Sequence, residues 1–81
     1  LARNLGLSET SGLVIMQIHP YSPAAEAGLR QGDIILEMDQ AAIKDIDAFY
    51  KKISRYKKGD IILFLIKRGN TTLYLTLKIH E

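Results

Sequence analysis

Ser22-Pro23-Ala24-Ala25-Glu26-Ala27-Gly28-Leu29-Arg30-Gln31-Gly32-Asp33-Ile34-Ile35 is the stretch on which the fold turns. Ser22 can accept hydrogen bonds from the free N–H groups at a helix start. Pro23 suits the first helical position, where its missing N–H has no intrahelical partner to lose. Gly28 can take the left-handed conformation that stops a helix. The spacing therefore predicts one or two helical turns between Ser22 and Gly28. A full capping box would need Glu or Gln at position 25, and Ala25 does not supply it. Gly32-Asp33 then turns the chain into an alternating strand. Ile34, Leu36 and Met38 share one face, and Asp33, Glu37 and Asp39 share the other with Ile35.

Upstream, residues 13–19 (Leu-Val-Ile-Met-Gln-Ile-His) are rich in branched apolar side chains and are closed by Pro20, which predicts a strand. Val14, Met16 and Ile18 form its continuously apolar face, and Leu13, Ile15, Gln17 and His19 lie on the other. Leu1, Ala2, Leu5 and Leu7 have a partial helical spacing punctuated by Gly6 and Gly12, so a frayed helix followed by a turn is expected there. Downstream, residues 40–43 turn the chain and Asp45 can cap a helix over 46–56. Ile46, Phe49, Tyr50 and Ile53 recur at i, i+3, i+4 and i+7 as its buried stripe. Gly59 ends it. Ile61 to Ile66 is apolar on both faces, which suits an internal strand covered on both sides. Arg68-Gly69-Asn70 is a hairpin loop. In the last strand Leu73, Leu75, Leu77 and Ile79 point in, while Thr72, Tyr74, Thr76 and Lys78 point out. Strands of both facings with two helices describe an α+β fold, a small partly open sandwich or barrel.

With 81 residues there is room for one domain and one core. Cysteine is absent, which excludes a disulfide, a thiolate metal site and a cysteine nucleophile. The net charge of +2 is too small to imply nucleic acid by itself. The six apolar residues 61–66 are too few to span a bilayer as a helix, so no membrane insertion is expected.

No residue pattern announces chemistry. His19 and His80 lie in separate strands, with no second ligand at metal spacing. Ser8, Ser11, Ser22 and Ser54 lack a nucleophile-elbow setting. Gly28-Leu29-Arg30-Gln31-Gly32 has no Lys-Ser/Thr pair and follows a helix, so it is no phosphate loop. Asp45 and Asp47 are neighbours, but capping accounts for Asp45. Lys51, Lys52, Arg55, Lys57 and Lys58 fall within eight positions, interleaved by Tyr50 and Tyr56. An anion-binding patch is one reading. A solvated helix face, with cations near the C-terminus where the dipole favours them, is the plainer one.

The 22–35 stretch resembles the Ser-Pro-Ala-x-x-Ala-Gly-Leu-x-x-Gly-Asp-x-Ile motif of PDZ domains from bacterial Do-type (HtrA) serine proteases. The likeness continues through Ile43-Lys44-Asp45, the helix after it and Leu65-Ile66-Lys67-Arg68-Gly69. Leu1 to Leu7 taken with Arg68-Gly69-Asn70-Thr71-Thr72-Leu73-Tyr74-Leu75 looks most like the second, C-terminal PDZ domain of these proteases. Similar domains occur in site-2 proteases, C-terminal processing proteases and secretion-system proteins. Gln40 departs from the pattern, since the family usually has a turn glycine there.

The resemblance implies a PDZ-like partly open β-sandwich capped by two helices, of the circularly permuted bacterial type. It implies a non-catalytic module without a cofactor, inside a parent that is a trypsin-like serine endopeptidase of the bacterial periplasm or cell envelope. Partners would be peptide or unfolded-protein segments and the neighbouring protease and PDZ domains, with no nucleic acid. In the family an extended tail adds as a strand against the longer helix. An apolar-Gly-apolar loop offers N–H groups to its terminal carboxylate. Matching that helix places Ala48, Lys52 and Arg55 toward the peptide, where Lys52 and Arg55 would make the wall cationic. The whole of 1–81 is then one PDZ domain whose carboxylate loop and first strand precede Leu1, leaving strand 13–19 as an exposed edge. The alternative takes Leu5-Gly6-Leu7 itself as the loop. A domain serving only contacts within a larger assembly is a further reading, as is anion binding by residues 51–58.

Overall fold

The computed structural model describes residues 5–7 and 12–79. The elements run β1 (Leu5–Leu7), β2 (Leu13–Ile15), α1 (Pro23–Glu26), β3 (Ile34–Met38), β4 (Ala41–Ala42), α2 (Ile46–Ile53), β5 (Ile61–Arg68) and β6 (Thr71–Lys78). The strands form one open antiparallel sheet in the order β1-β2-β3-β5-β6, with β4 paired to β3. The two helices cap it. The core contains Leu13, Ile15, Leu29, Ile35, Met38, Ile43, Phe49, Ile62, Phe64, Ile66 and Leu77.

The 22–35 stretch folds as its residues dictate. Ser22 Oγ accepts the Ala25 N–H at 3.2 Å and Pro23 opens α1. Gly28 turns the chain at φ +99°. The segment is then stitched to β2: Gly32 N–H donates to the Ile15 carbonyl at 2.7 Å, and Ile15 N–H to the Asp33 carbonyl at 2.8 Å. Asp33, only 1% exposed, accepts the Arg30 N–H at 2.9 Å. Arg68 grips both of its oxygens, from Nε at 2.9 Å and from Nη2 at 2.7 Å, and Nη2 also donates to the Gly28 carbonyl at 2.9 Å. Burial alone would raise the Asp33 pKa. The Arg68 hydrogen bonds, the Arg30 N–H and the two cationic charges outweigh it, so the carboxyl lies below its ordinary value.

Asp45 caps α2, with Oδ1 accepting the Ala48 N–H at 2.7 Å. Asp45→Ala should cost about 1 kcal/mol, read as a lower urea midpoint with an unchanged slope. The helix itself ends at Ile53 rather than 56, and Tyr56 follows a turn at residues 54–55. The turn after β3 closes without glycine, because Asp39 and Gln40 both take positive φ, +51° and +69°. That is the backbone a two-residue hairpin between Met38 and Ala41 requires.

Five expectations are corrected. The helix over 1–7 is not found: residues 5–7 are a strand, and 1–4 lie outside the described residues. A strand there satisfies backbone groups along β2, which a lone helical turn would leave unpaired. For the same reason the edge at 13–15 is not exposed, since Leu5 pairs with Ile15 and Leu7 with Leu13. The ladder itself stops at Ile15, and residues 16–19 carry no strand pairing. Leu13 and Ile15 face the core while Met16 is exposed, so the polar-flanked face is the inner one. Finally, β5 is buried on one face only, through Ile62, Phe64 and Ile66; Ile61 is exposed and Leu63 and Leu65 are half-buried.

Candidate functional site

A cavity of about 270 Å³ opens between the 15–19 segment, the start of α1 and α2. Ile15, Ile18 and Leu29 line it on the strand and α1 side. Phe49, Tyr50 and Ile53 form its helix wall, and Phe64 and Leu77 lie beneath. These are the residues the helical stripe i, i+3, i+4 predicted for burial, yet here the stripe is only partly covered: Phe49 is buried, while Tyr50 and Ile53 are half-buried. The Phe49 and Tyr50 rings meet edge to face, 5.3 Å between centroids at 78°, which sets the shape of the helix wall. Gln17, His19 and Ser22 are the polar lining residues. The edge strand β1 lies against α2, beside this opening.

An apolar hollow next to an edge strand has a defined chemical capacity. The strand edge offers unpaired N–H and C=O groups to an incoming extended chain, and the hollow accepts an apolar side chain from it. Of the lining residues, Ser22 Oγ accepts the Ala25 N–H, and no side-chain hydrogen bond joins it to His19. Ser8, Ser11 and His80 lie outside the described residues.

Ala48 and Lys52 share the helix with the cavity wall, and Arg55 lies two residues beyond its end. Ala48 is exposed and spends its N–H on Asp45. Lys52 is half-buried, and its charge acts on Asp39. Arg55 is exposed beyond the helix end, its N–H on the Lys52 carbonyl at 3.1 Å. None of the three is among the residues lining the cavity. The sequence signal for the wall is the helical spacing of Phe49, Tyr50 and Ile53.

Of the basic run, Lys51, Arg55, Lys57 and Lys58 are exposed. Among the described residues the only ion pair is Arg68–Asp33. Two acids flanking the run cap backbone: Asp45 accepts the Ala48 N–H at 2.7 Å and Asp60 the Lys57 N–H at 2.8 Å. Among the described residues no helix is long and apolar enough to cross a membrane.

Comparison with known proteins gives a consistent picture. A family model described as PDZ domain matches residues 5–79. A probable serine protease do-like of Buchnera aphidicola is 35% identical over 68 residues, 84% of this chain and 14% of that protein. The periplasmic serine endoprotease DegP of Escherichia coli K12 is 33% identical over 67 residues, 83% of this chain and 14% of that one. The chain thus spans about one seventh of these relatives. Among solved structures, the HtrA-type protease AlgW with a decapeptide superposes at a TM-score of 0.82 and 32% identity, over 99% of this chain and 25% of that one. An aminopeptidase N family protein from Idiomarina loihiensis reaches 0.85 at 25% identity, over 95% of this chain and 13% of that one. An HtrA3 PDZ domain bound to a phage-derived ligand, at 20% identity and 0.79, shares the fold.

Proposed function

This chain belongs to the PDZ domain family, and we propose that it is a non-catalytic module that captures extended peptide segments for a cell-envelope serine protease. The observation that carries the proposal is the apolar cavity walled by Phe49, Tyr50 and Ile53 beside the edge strand β1. A peptide adding as a strand at that edge gains main-chain hydrogen bonds, and one apolar side chain in the hollow supplies selectivity. The decapeptide on AlgW and the Do-type relatives support this choice of ligand and parent. A weak peptide site tethered to a protease raises local substrate concentration without new chemistry.

In this proposal Tyr50 and Ile53 meet the ligand, with Ala48 and Lys52 on the neighbouring faces of the helix and Arg55 just beyond its end. Of the two readings of Leu5-Gly6-Leu7, the position of β1 beside α2 supports the apolar-Gly-apolar one, with this segment at the carboxylate end of the groove. The reading that puts loop and strand before Leu1 predicts instead that a chain extended upstream gains peptide affinity over this one.

The test is an amide NMR titration with peptides ending in an apolar residue. Shifts should concentrate at residues 17–19 and 50–53, and Ile53→Glu should weaken binding about tenfold or more, since a carboxylate cannot enter an apolar hollow unpaired. Absence of shifts with every peptide, together with shifts on adding the neighbouring domains, would replace the proposal by a role in domain contacts. Binding that instead tracks Lys51, Lys57 and Lys58 and collapses with salt would assign the module to anionic partners.

A further inference from the structure

We infer that Asp39 and Tyr56 are positioning residues that fix the C-terminal end of α2 on the sheet, and so set the width of the cavity and the ligand it accepts. The ligand part of this inference rests on the peptide-binding reading above; the positioning part does not.

The geometry is a three-way junction. Asp39 N–H donates to the Leu63 carbonyl at 2.7 Å, and Leu63 N–H returns a bond to Asp39 Oδ1 at 2.9 Å. The other oxygen, Oδ2, accepts the Tyr56 hydroxyl. Tyr56 stands three residues beyond the cavity-wall residue Ile53, whose carbonyl accepts the Tyr56 N–H at 3.2 Å. One carboxylate therefore joins the β3–β4 turn, the start of β5 and the end of α2. At its other end α2 is held through Ile43, which is buried in the core and donates its N–H to the Leu36 carbonyl at 3.1 Å. Among the described residues, the Tyr56–Asp39 bond is the only side-chain hydrogen bond from 46–58 to the sheet.

The backbone at this turn points the same way. Asp39 and Gln40 both sit at positive φ, where glycine is easiest and most side chains are strained. Asp is among the residues that tolerate the conformation, and here its side chain does what glycine could not: it bonds two other elements. Burial and the bond to Asp39 push the Tyr56 hydroxyl up to about 12, so it keeps its proton and donates across the neutral range.

Three variants test the inference: Tyr56→Phe removes only the hydroxyl, Asp39→Gly eases the turn but removes the carboxylate, and Asp39→Asn keeps an oxygen for the Leu63 N–H. Methyl shifts of Ile53 and ring shifts of Phe49 report the cavity wall without any ligand. Amide exchange of the last turn of α2 reports its attachment. Tyr56→Phe and Asp39→Gly should both move the Ile53 methyl and speed exchange at 51–54 about tenfold, with β5–β6 protection unchanged. Both should weaken peptide binding about fivefold or alter which apolar end residue is preferred. Asp39→Asn should recover part of each effect. Unchanged Ile53 shifts and exchange in Tyr56→Phe would overturn the inference, as would a moved wall with unaltered peptide affinity and preference. If the parent chain binds no peptide at all, the peptide reading fails, and the Ile53 shift and exchange data alone decide the positioning role.

Discussion

Arg68→Met should lower the urea midpoint clearly at neutral pH, because removing the guanidinium leaves the buried Asp33 carboxylate without its countercharge. Among the described residues Asp33 is the one buried polar side chain, and Arg68 supplies two of the three hydrogen bonds to its carboxylate. In the variant only the Arg30 N–H still faces the carboxylate. Asp33→Asn should cost less, about half as much, since Arg68 is 31% exposed and its head can rehydrate. The two variants also differ in pH response. In the native domain the Asp33 pKa is lowered, so its contribution is present above the ordinary carboxylate range and is lost as pH falls through the folded value. In Arg68→Met burial acts unopposed by the guanidinium, and the Asp33 pKa rises. Protonation then relieves the variant first, so its deficit should shrink between pH 7 and pH 4. Urea midpoints of the native chain and both variants at the two pH values check this. A deficit that is constant or grows on acidification would show that Arg68 acts by packing rather than by charge.

Gly12→Ala should cost about 3 kcal/mol, from backbone strain and collision together. Gly12 leads into β2 at φ +122°, a conformation that side chains rarely adopt. A Cβ there would sit 2.6 Å from the Ile35 carbonyl oxygen and 3.1 Å from Ile34 Cγ2. The carbonyl is backbone of the neighbouring strand and cannot swing aside without disturbing the β2–β3 pairing. Gly32→Ala is the control. Gly32 also has positive φ, +94°, but a Cβ there meets nothing within 4 Å, so only the conformational cost of about 1 kcal/mol applies. A midpoint loss for Gly12→Ala no larger than for Gly32→Ala would contradict the collision.

The contrast between these two glycines marks the limit of what a linear reading can see. Both read as turn punctuation, and only the strand packed behind Gly12 separates them. The same limit explains the misplaced faces. Residues 13–18 are apolar on both sides, so alternation alone cannot choose between Val14-Met16-Ile18 and Leu13-Ile15; pairing with β3 does. In β3 a register shift between Ile35 and Glu37 puts Ile35 and Met38, three apart, on the buried side, which breaks the two-residue alternation used to read Ile34-Leu36-Met38 as one face. The helix wall was the reverse case. The stripe Ile46, Phe49, Tyr50, Ile53 is spelled out by helical spacing, and three of its members line the hollow.

What the amino-acid order determined by itself was local: the capped turn at Ser22-Pro23, the stop at Gly28, the Asp45 cap, the amphipathic α2 and the β5–β6 hairpin. Each depends on groups within about four residues of one another, so the covalent chain already brings them together. The Asp33–Arg68 pair, the Asp39–Tyr56–Leu63 junction, the strand at Leu5–Leu7 and the hollow between the 15–19 segment and α2 were decided only by the tertiary structure. Their partners lie between 6 and 38 positions apart, and nothing short of the folded sheet brings them within hydrogen-bonding or packing distance.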